Sequence, residues 1–364
     1  MNQAVTLSKQ QLNWDAMAAE LDQLRKDTLA KVGQEDRAYI ERIIQWVRYS
    51  EAAGRGLLML GWLPPFWLLG TASLSLSKIL ENMELGHNVM HGQYDWMREA
   101  ELNGQKYDWD NVCPGDQWRH SHNFMHHTYT NIVGKDRDVG YGILRLFPDQ
   151  PWYPAALAQP LYALILALAF EWGVALHDLE FEKIFKGEKT VAQLLTELKP
   201  IGAKVKRQVL KDYVVFPLLA GPSFLPVLLG NFSANIVRNL WAFTIIFCGH
   251  FTEEVETFPV ESLAQESRGQ WYRRQILGSS NIEGGPWFHI LSGNLSHQIE
   301  HHLFPDVPAW RYAEMAPRVK AIARKYGLRY HSGSLGQQVL AAGRRILRYA
   351  LPDRLSTPTQ AELS

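Results

Sequence analysis

The chain has 364 residues, with 37 Lys plus Arg against 37 Asp plus Glu and a mean hydropathy of −0.20. That balance gives no sign of a nucleic-acid partner. The two cysteines, Cys113 and Cys248, exclude a disulfide framework and any cysteine-rich zinc or iron–sulfur site.

Met1–Gln10 is polar and lacks an apolar core, so no cleavable signal peptide is expected. Over residues 1–50, Leu21, Leu24, Ile40, Ile43, Ile44 and Val47 sit among charged residues, which predicts amphipathic helices at a surface or membrane interface. Apolar character rises from Gly56 to Leu80 and is interrupted by Pro64-Pro65. Adjacent prolines disfavour one straight helix, so a helical hairpin is expected to turn there. Its first arm is short against the roughly 20 residues of a span. Residues 87–150 are polar, aromatic and rich in histidine, and 151–176 are apolar again. Residues 177–211 carry eight basic side chains: Lys183, Lys186, Lys189, Lys199, Lys204, Lys206, Arg207 and Lys211. Two apolar runs follow, 213–229 and 234–250, read as a hairpin turning at Gly230-Asn231-Phe232-Ser233. The remainder, 251–364, is polar and has no span. The chain therefore divides into an N-terminal region (1–50), a membrane domain (51–335) and a C-terminal tail (336–364).

Three histidine clusters carry the chemistry: His87-Asn-Val-Met-His91, His122-Asn-Phe-Met-His126-His127 and His297-Gln-Ile-Glu-His301-His302. In a helix, residues four apart share a face. His87 with His91, His122 with His126, and His297 with His301 are thus each able to grip one metal. Imidazole suits iron, zinc, copper and nickel. Eight such ligands exceed the needs of one ion, so two metals are expected. Ligands that converge must lie on one side of a bilayer. Residues 151–176 must then dip in and return or lie in the interface, and the basic stretch 177–211 should stay cytoplasmic.

The clusters and their flanks, Gly86-His-Asn-Val-Met-His-Gly92, His126-His-Thr-Tyr-Thr-Asn131 and Gln298-Ile-Glu-His-His-Leu-Phe-Pro305, resemble the histidine boxes of the membrane fatty-acid desaturase family. The resemblance covers roughly residues 50–335. It is similar to the bacterial acyl-CoA and front-end (linoleoyl-CoA-like) branch. It implies an all-α polytopic membrane protein with about four transmembrane helices in two hairpins and a cytosolic helical di-iron cap. His87, His91, His122, His126, His127, His301 and His302 match family ligands. His250, at the end of the last apolar run, is expected to join them, as related enzymes use a histidine there. Either His297, at helical spacing from His301, or Gln298, at the family position, supplies a further ligand. His120 is expected beside the site, and His177, His289 and His331 are read as structural. Glu84, Asn88, Asn131, Asp136, Asp138 and Glu300 are candidates to accept from ligand N–H groups. Trp96 and Trp118 are read as an interfacial belt.

The resemblance implies dioxygen-dependent insertion of a cis double bond into a fatty-acyl chain borne on CoA, a carrier protein or a lipid. Arg119, Lys135, Arg137 and Arg145 are candidates for the headgroup. The sequence has neither a His-Pro-Gly-Gly motif nor a Gly-x-Gly-x-x-Gly motif, so an external ferredoxin-type or cytochrome b5-type donor with its reductase is expected. The active site and both termini should face the cytoplasm, in a bacterial inner membrane. The same boxes also serve hydroxylases and epoxygenases. A membrane zinc hydrolase needs fewer histidines, and a haem protein needs only two axial ligands.

Overall fold

The structure is a computed structural model and describes residues 2–352. Helix α1 (Asn2–Leu29) is followed by α2 (Gln34–Leu58), whose start is capped by Asp36 accepting from the Gly33 N–H at 2.8 Å. The chain turns at 59–63. Pro64 then opens α3 (Pro64–Ile79), at a position where a missing N–H costs nothing. Helix α3 continues through a π-helical stretch, Leu80–Gly86, into α4 (His87–Met90). The second box is built alike, with α5 (Gly115–Trp118), a π-helical stretch Arg119–His126 and α6 (His127–Tyr129).

Residues 151–176 do not form one straight rod. Helices α7 (Gln159–Leu168) and α8 (Phe170–Leu176) belong to segments bent by 99° against each other. After the short α9 (Glu182–Phe185), α10 (Val191–Val209) runs through a π-helical stretch, Leu210–Val215, into α11 (Phe216–Leu219). Helix α12 (Phe224–His250) returns antiparallel. The rest comprises α13 (Arg268–Leu277), α14 (Pro286–Leu291), α15 (Gln298–Leu303), α16 (Tyr312–Lys325) and α17 (Leu335–Ala350). Strands β1 (Asn281–Glu283) and β2 (Ser332–Ser334) pair in parallel.

The hairpin expected to turn at Gly230–Ser233 turns instead at 220–223, and α12 passes straight through the Gly-Asn-Phe-Ser stretch. These residues mark packing. A side-chain carbon at Gly230 would meet Leu58 Cδ2 at 2.5 Å, so glycine lets α2 and α12 approach closely. Asn231 accepts from Arg55 Nη1 at 2.7 Å. Arg55 and Lys78 both donate to the buried Asp212, at 2.7 and 2.8 Å, and Arg238 pairs with Glu171. A polar network thus locks α2, α3, the 210–215 turn and α12 together. Buried charges persist only when paired in this way. The tips of the two hairpins also meet: Ser223 Oγ donates to Met59 O at 2.6 Å and Trp67 Nε1 to Pro226 O at 3.0 Å.

Among the described residues, Gly221–His250 is the one helical stretch long and apolar enough by itself to cross a membrane. The apolar stripes expected on residues 1–50 are buried against protein. Leu21 and Leu24 join Tyr272, Ile299, Leu303 and Val319 in one core. Ile40, Ile43 and Val47 pack with Leu80, Leu85 and Val89 in another. Residues 336–350, set apart above as tail, form most of α17, which packs on α12 and α7. Its Arg345 donates to Thr252 O at 2.6 Å and Val255 O at 3.0 Å. Residues 353–364 of that tail lie outside the described residues.

Candidate metal centre

The three boxes and the end of α12 converge. Coordinating atoms of His87, His91, His122 and His301 lie within 4.8 Å of one another, as do those of His126, His250 and His302. His127 sits between the groups, with ring centroids 4.8 Å from both His91 and His301 and 4.5 Å from His302. The π-helical turn explains how one box reaches both groups. Its i→i+5 bonding widens the turn and is frequent at functional sites, so residues four and five beyond His122 both project inward.

Helical spacing accounts for part of this arrangement. His87 and His91 share a group as expected, and His122 and His126, stacked at 5.1 Å, share a third with Asp138, while His122 also joins the first group and His126 the second. His297 belongs to none of them. Helix α15 begins one residue later, so the four-residue rule does not reach His301, and His297 stacks on His289 at 4.4 Å. Gln298 is inside, with its Nε2 at 2.9 Å from His250 Nε2 and its Oε1 buried without a partner.

Outer contacts orient the rings. Asp136 accepts from His126 Nδ1 at 2.9 Å, Asp138 faces His122 Nδ1 at 3.2 Å and Asn88 faces His87 Nδ1 at 3.2 Å. Asn131, at φ 55°, donates its backbone N–H to Asp136 at 2.8 Å and so serves the site at one remove. Glu84 instead binds Tyr39 and Asn294, and Glu300 binds Asn281 and Tyr330. Sequence reasoning missed Gln275, which faces His302 Nδ1 at 3.0 Å from α13 and stands in no motif. Trp118 stacks on His122 at 4.5 Å, which places it at the site, whereas Trp96 is exposed. His120 is also exposed and stacks on Phe124. Arg119 and Arg137 are held by Asp116 and Glu180, and Arg145 is buried among backbone carbonyls. Of the four headgroup candidates, Lys135 is the one exposed.

The donor set suits metal. Nε2 of His91, His122, His126 and His301 and both ring nitrogens of His127 are buried without hydrogen-bond partners, a cost that native folds accept only for a reason. Burial pushes His87 down to about 3, and burial with neighbouring imidazoles holds His91, His127, His301 and His302 well below the ordinary value. Burial also works against charge on His126, but Asp136 and Asp138 outweigh it and raise that group. Neutral imidazoles keep the lone pairs that metals need. Beside the rings lies a narrow pocket with a cavity volume of about 50 Å³, lined among others by Met83, Trp118, Tyr141, Phe170, Val174 and Ile246.

Histidines that fit a metal site beside an apolar pocket suit an oxidative or hydrolytic enzyme of apolar chains, and sequence comparison decides between the two. Residues 40–334 match the family model for fatty acid desaturases. The chain is 45% identical, over 93% of its length and 80% of the relative's, to the NADPH-dependent stearoyl-CoA 9-desaturase of Mycobacterium tuberculosis. It is 28% identical, over 73% of its length and 75% of the relative's, to the sn-1 linoleoyl-lipid 6-desaturase of Synechocystis. It is 30% identical, over 78% and 61%, to the acyl-lipid (7-3)-desaturase of Rebecca salina. The chain belongs to the fatty acid desaturase family and is an enzyme that desaturates fatty-acyl chains.

Proposed function

We propose that this enzyme inserts a cis double bond at carbon 9 of a long-chain saturated acyl-CoA, at two iron ions held by the histidine cluster. The observation that carries the reading is the convergence of the boxes into groups of imidazoles in which Nε2 of His91, His122, His126 and His301 is buried without a hydrogen-bond partner. The position and carrier follow the Mycobacterium relative. His87, His91, His122 and His301 would hold one iron, His126, His250 and His302 the other, and His127 faces both. Gln298, rather than His297, stands where a further ligand is needed. Dioxygen reduction and removal of two hydrogen atoms are the chemistry such a pair supplies when bound.

The chain's own part is positioning. Phe170, Val174 and Ile246 offer an apolar wall to the methylenes and Trp118 fixes the His122 ring, so one pair of carbons faces the ligands. The pocket also excludes water from the reacting carbons. Electrons come from a separate ferredoxin-type or cytochrome b5-type protein. The two hairpins, α2–α3 and α10–α12, are the arms of a four-span bundle. Exposed Leu68, Leu69, Leu218, Leu219, Leu225 and Phe232 face lipid on them. The boxes, α10's basic residues and both termini then lie in the cytoplasm of a bacterial inner membrane.

Expression in a desaturase-deficient host tests the reading. A 9-monounsaturated product and two irons per chain are expected. A hydroxylated product, or zinc with hydrolysis, overturns it.

A further inference from the structure

We infer that His177 is a positioning residue for the metal centre and acts on His122 through Asp138. The inference rests on the metal reading above. His177 lies outside every box, directly after α8. Its Nε2 meets Asp138 Oδ1 at 2.9 Å, and its Nδ1 meets Val174 O at 2.8 Å. A carboxylate and a carbonyl only accept, so both ring nitrogens of His177 must donate. The ring therefore carries a positive charge, buried against the negative charge of Asp138.

The other Asp138 oxygen faces His122 Nδ1 at 3.2 Å. With Asp138 held as an acceptor, His122 keeps its proton on Nδ1 and presents Nε2, buried and unpartnered, to the centre. Asp136, which serves His126, is steadied by the backbone N–H of Asn131 at 2.8 Å. Among the described residues, the hydrogen-bond donors to the Asp138 carboxylate are His122 and His177. His177 does for Asp138 what the backbone does for Asp136. Its own place is fixed by Arg137, which donates to His177 O at 3.1 Å, and by the Tyr141 ring at 5.1 Å.

The test is anaerobic Fe(II) titration of metal-free protein in detergent, read by chelator competition, for wild type, His177→Gln, Asp138→Asn and the double variant. His177→Gln should weaken one of the two iron equivalents about 10–100-fold, the usual cost of losing such an outer partner. Asp138→Asn should weaken the same equivalent. The double variant should be no worse than Asp138→Asn alone, because a residue acting through Asp138 has nothing left to lose. A purely structural His177 would add its loss to that of Asp138. Wild-type affinity in His177→Gln, or additive losses, overturns the inference while leaving the metal reading intact. A wild-type chain that binds no iron overturns the metal reading itself. If His177→Gln does not fold, wild-type affinity in Asp138→Asn overturns the inference.

Discussion

Gly249, one residue before His250, is where α12 passes Gln298 without room for a side chain. A carbon added there would sit 2.9 Å from Gln298 Cγ, 3.0 Å from its Oε1 and 3.1 Å from its Cδ. Comfortable carbon contacts begin near ~3.5 Å, so in Gly249→Ala the Gln298 side chain must retreat by about 0.5 Å or more. Its 2.9 Å contact with His250 would then stretch toward the limit of a hydrogen bond. Overpacking costs about 1–3 kcal/mol, and a buried polar group left unpaired costs about 1–3 kcal/mol more. A ligand displaced by up to ~1 Å lowers turnover by up to about 100-fold. Two assays read this: unsaturated fatty acids in an expressing host, by gas chromatography at matched protein level, and the unfolding midpoint in detergent. Gly343→Ala is the control. It lies in α17 with nothing within 4 Å of an added carbon and should be neutral or stabilising by up to about 1 kcal/mol. Wild-type product and midpoint in Gly249→Ala would refute the close approach of α12 to Gln298.

His126→Ala and His301→Ala should each abolish desaturation while the protein still inserts, and near-normal product from either removes it from the ligand set. Gln298→Ala should lose iron and activity, whereas His297→Ala should keep most of both. The reverse result would mean that α15 starts earlier than the structure places it. For topology, a cysteine at Ala192 should resist a membrane-impermeant thiol reagent in intact cells, one at Pro222 should react, and one at Phe232, inside α12, should not. Labelling at Ala192 but not at Pro222 would overturn the two-hairpin reading.

The sequence by itself determined the chemistry. The i, i+4 histidines with adjacent His-His pairs need no tertiary information to be read as metal ligands, and Pro64-Pro65 marks a turn because proline punctuates locally. Asp136 and Asp138 were legible because they lie a few residues beyond their box. Elsewhere the local signal misled or was absent. Gly230-Asn231 looks like a turn, yet the glycine serves contact with Leu58 and the asparagine serves Arg55, partners remote in the chain. That His122 also reaches His87 and His91 while His126 reaches His250 and His302 depends on a π-helical turn that composition does not announce. His297 stacks on His289 instead, since α15 begins only at Gln298. Gln275 and His177 reach the site from elements with no motif. The tertiary structure alone decided these points, because each depends on which distant groups meet, and a periodicity reports only a residue's near neighbours.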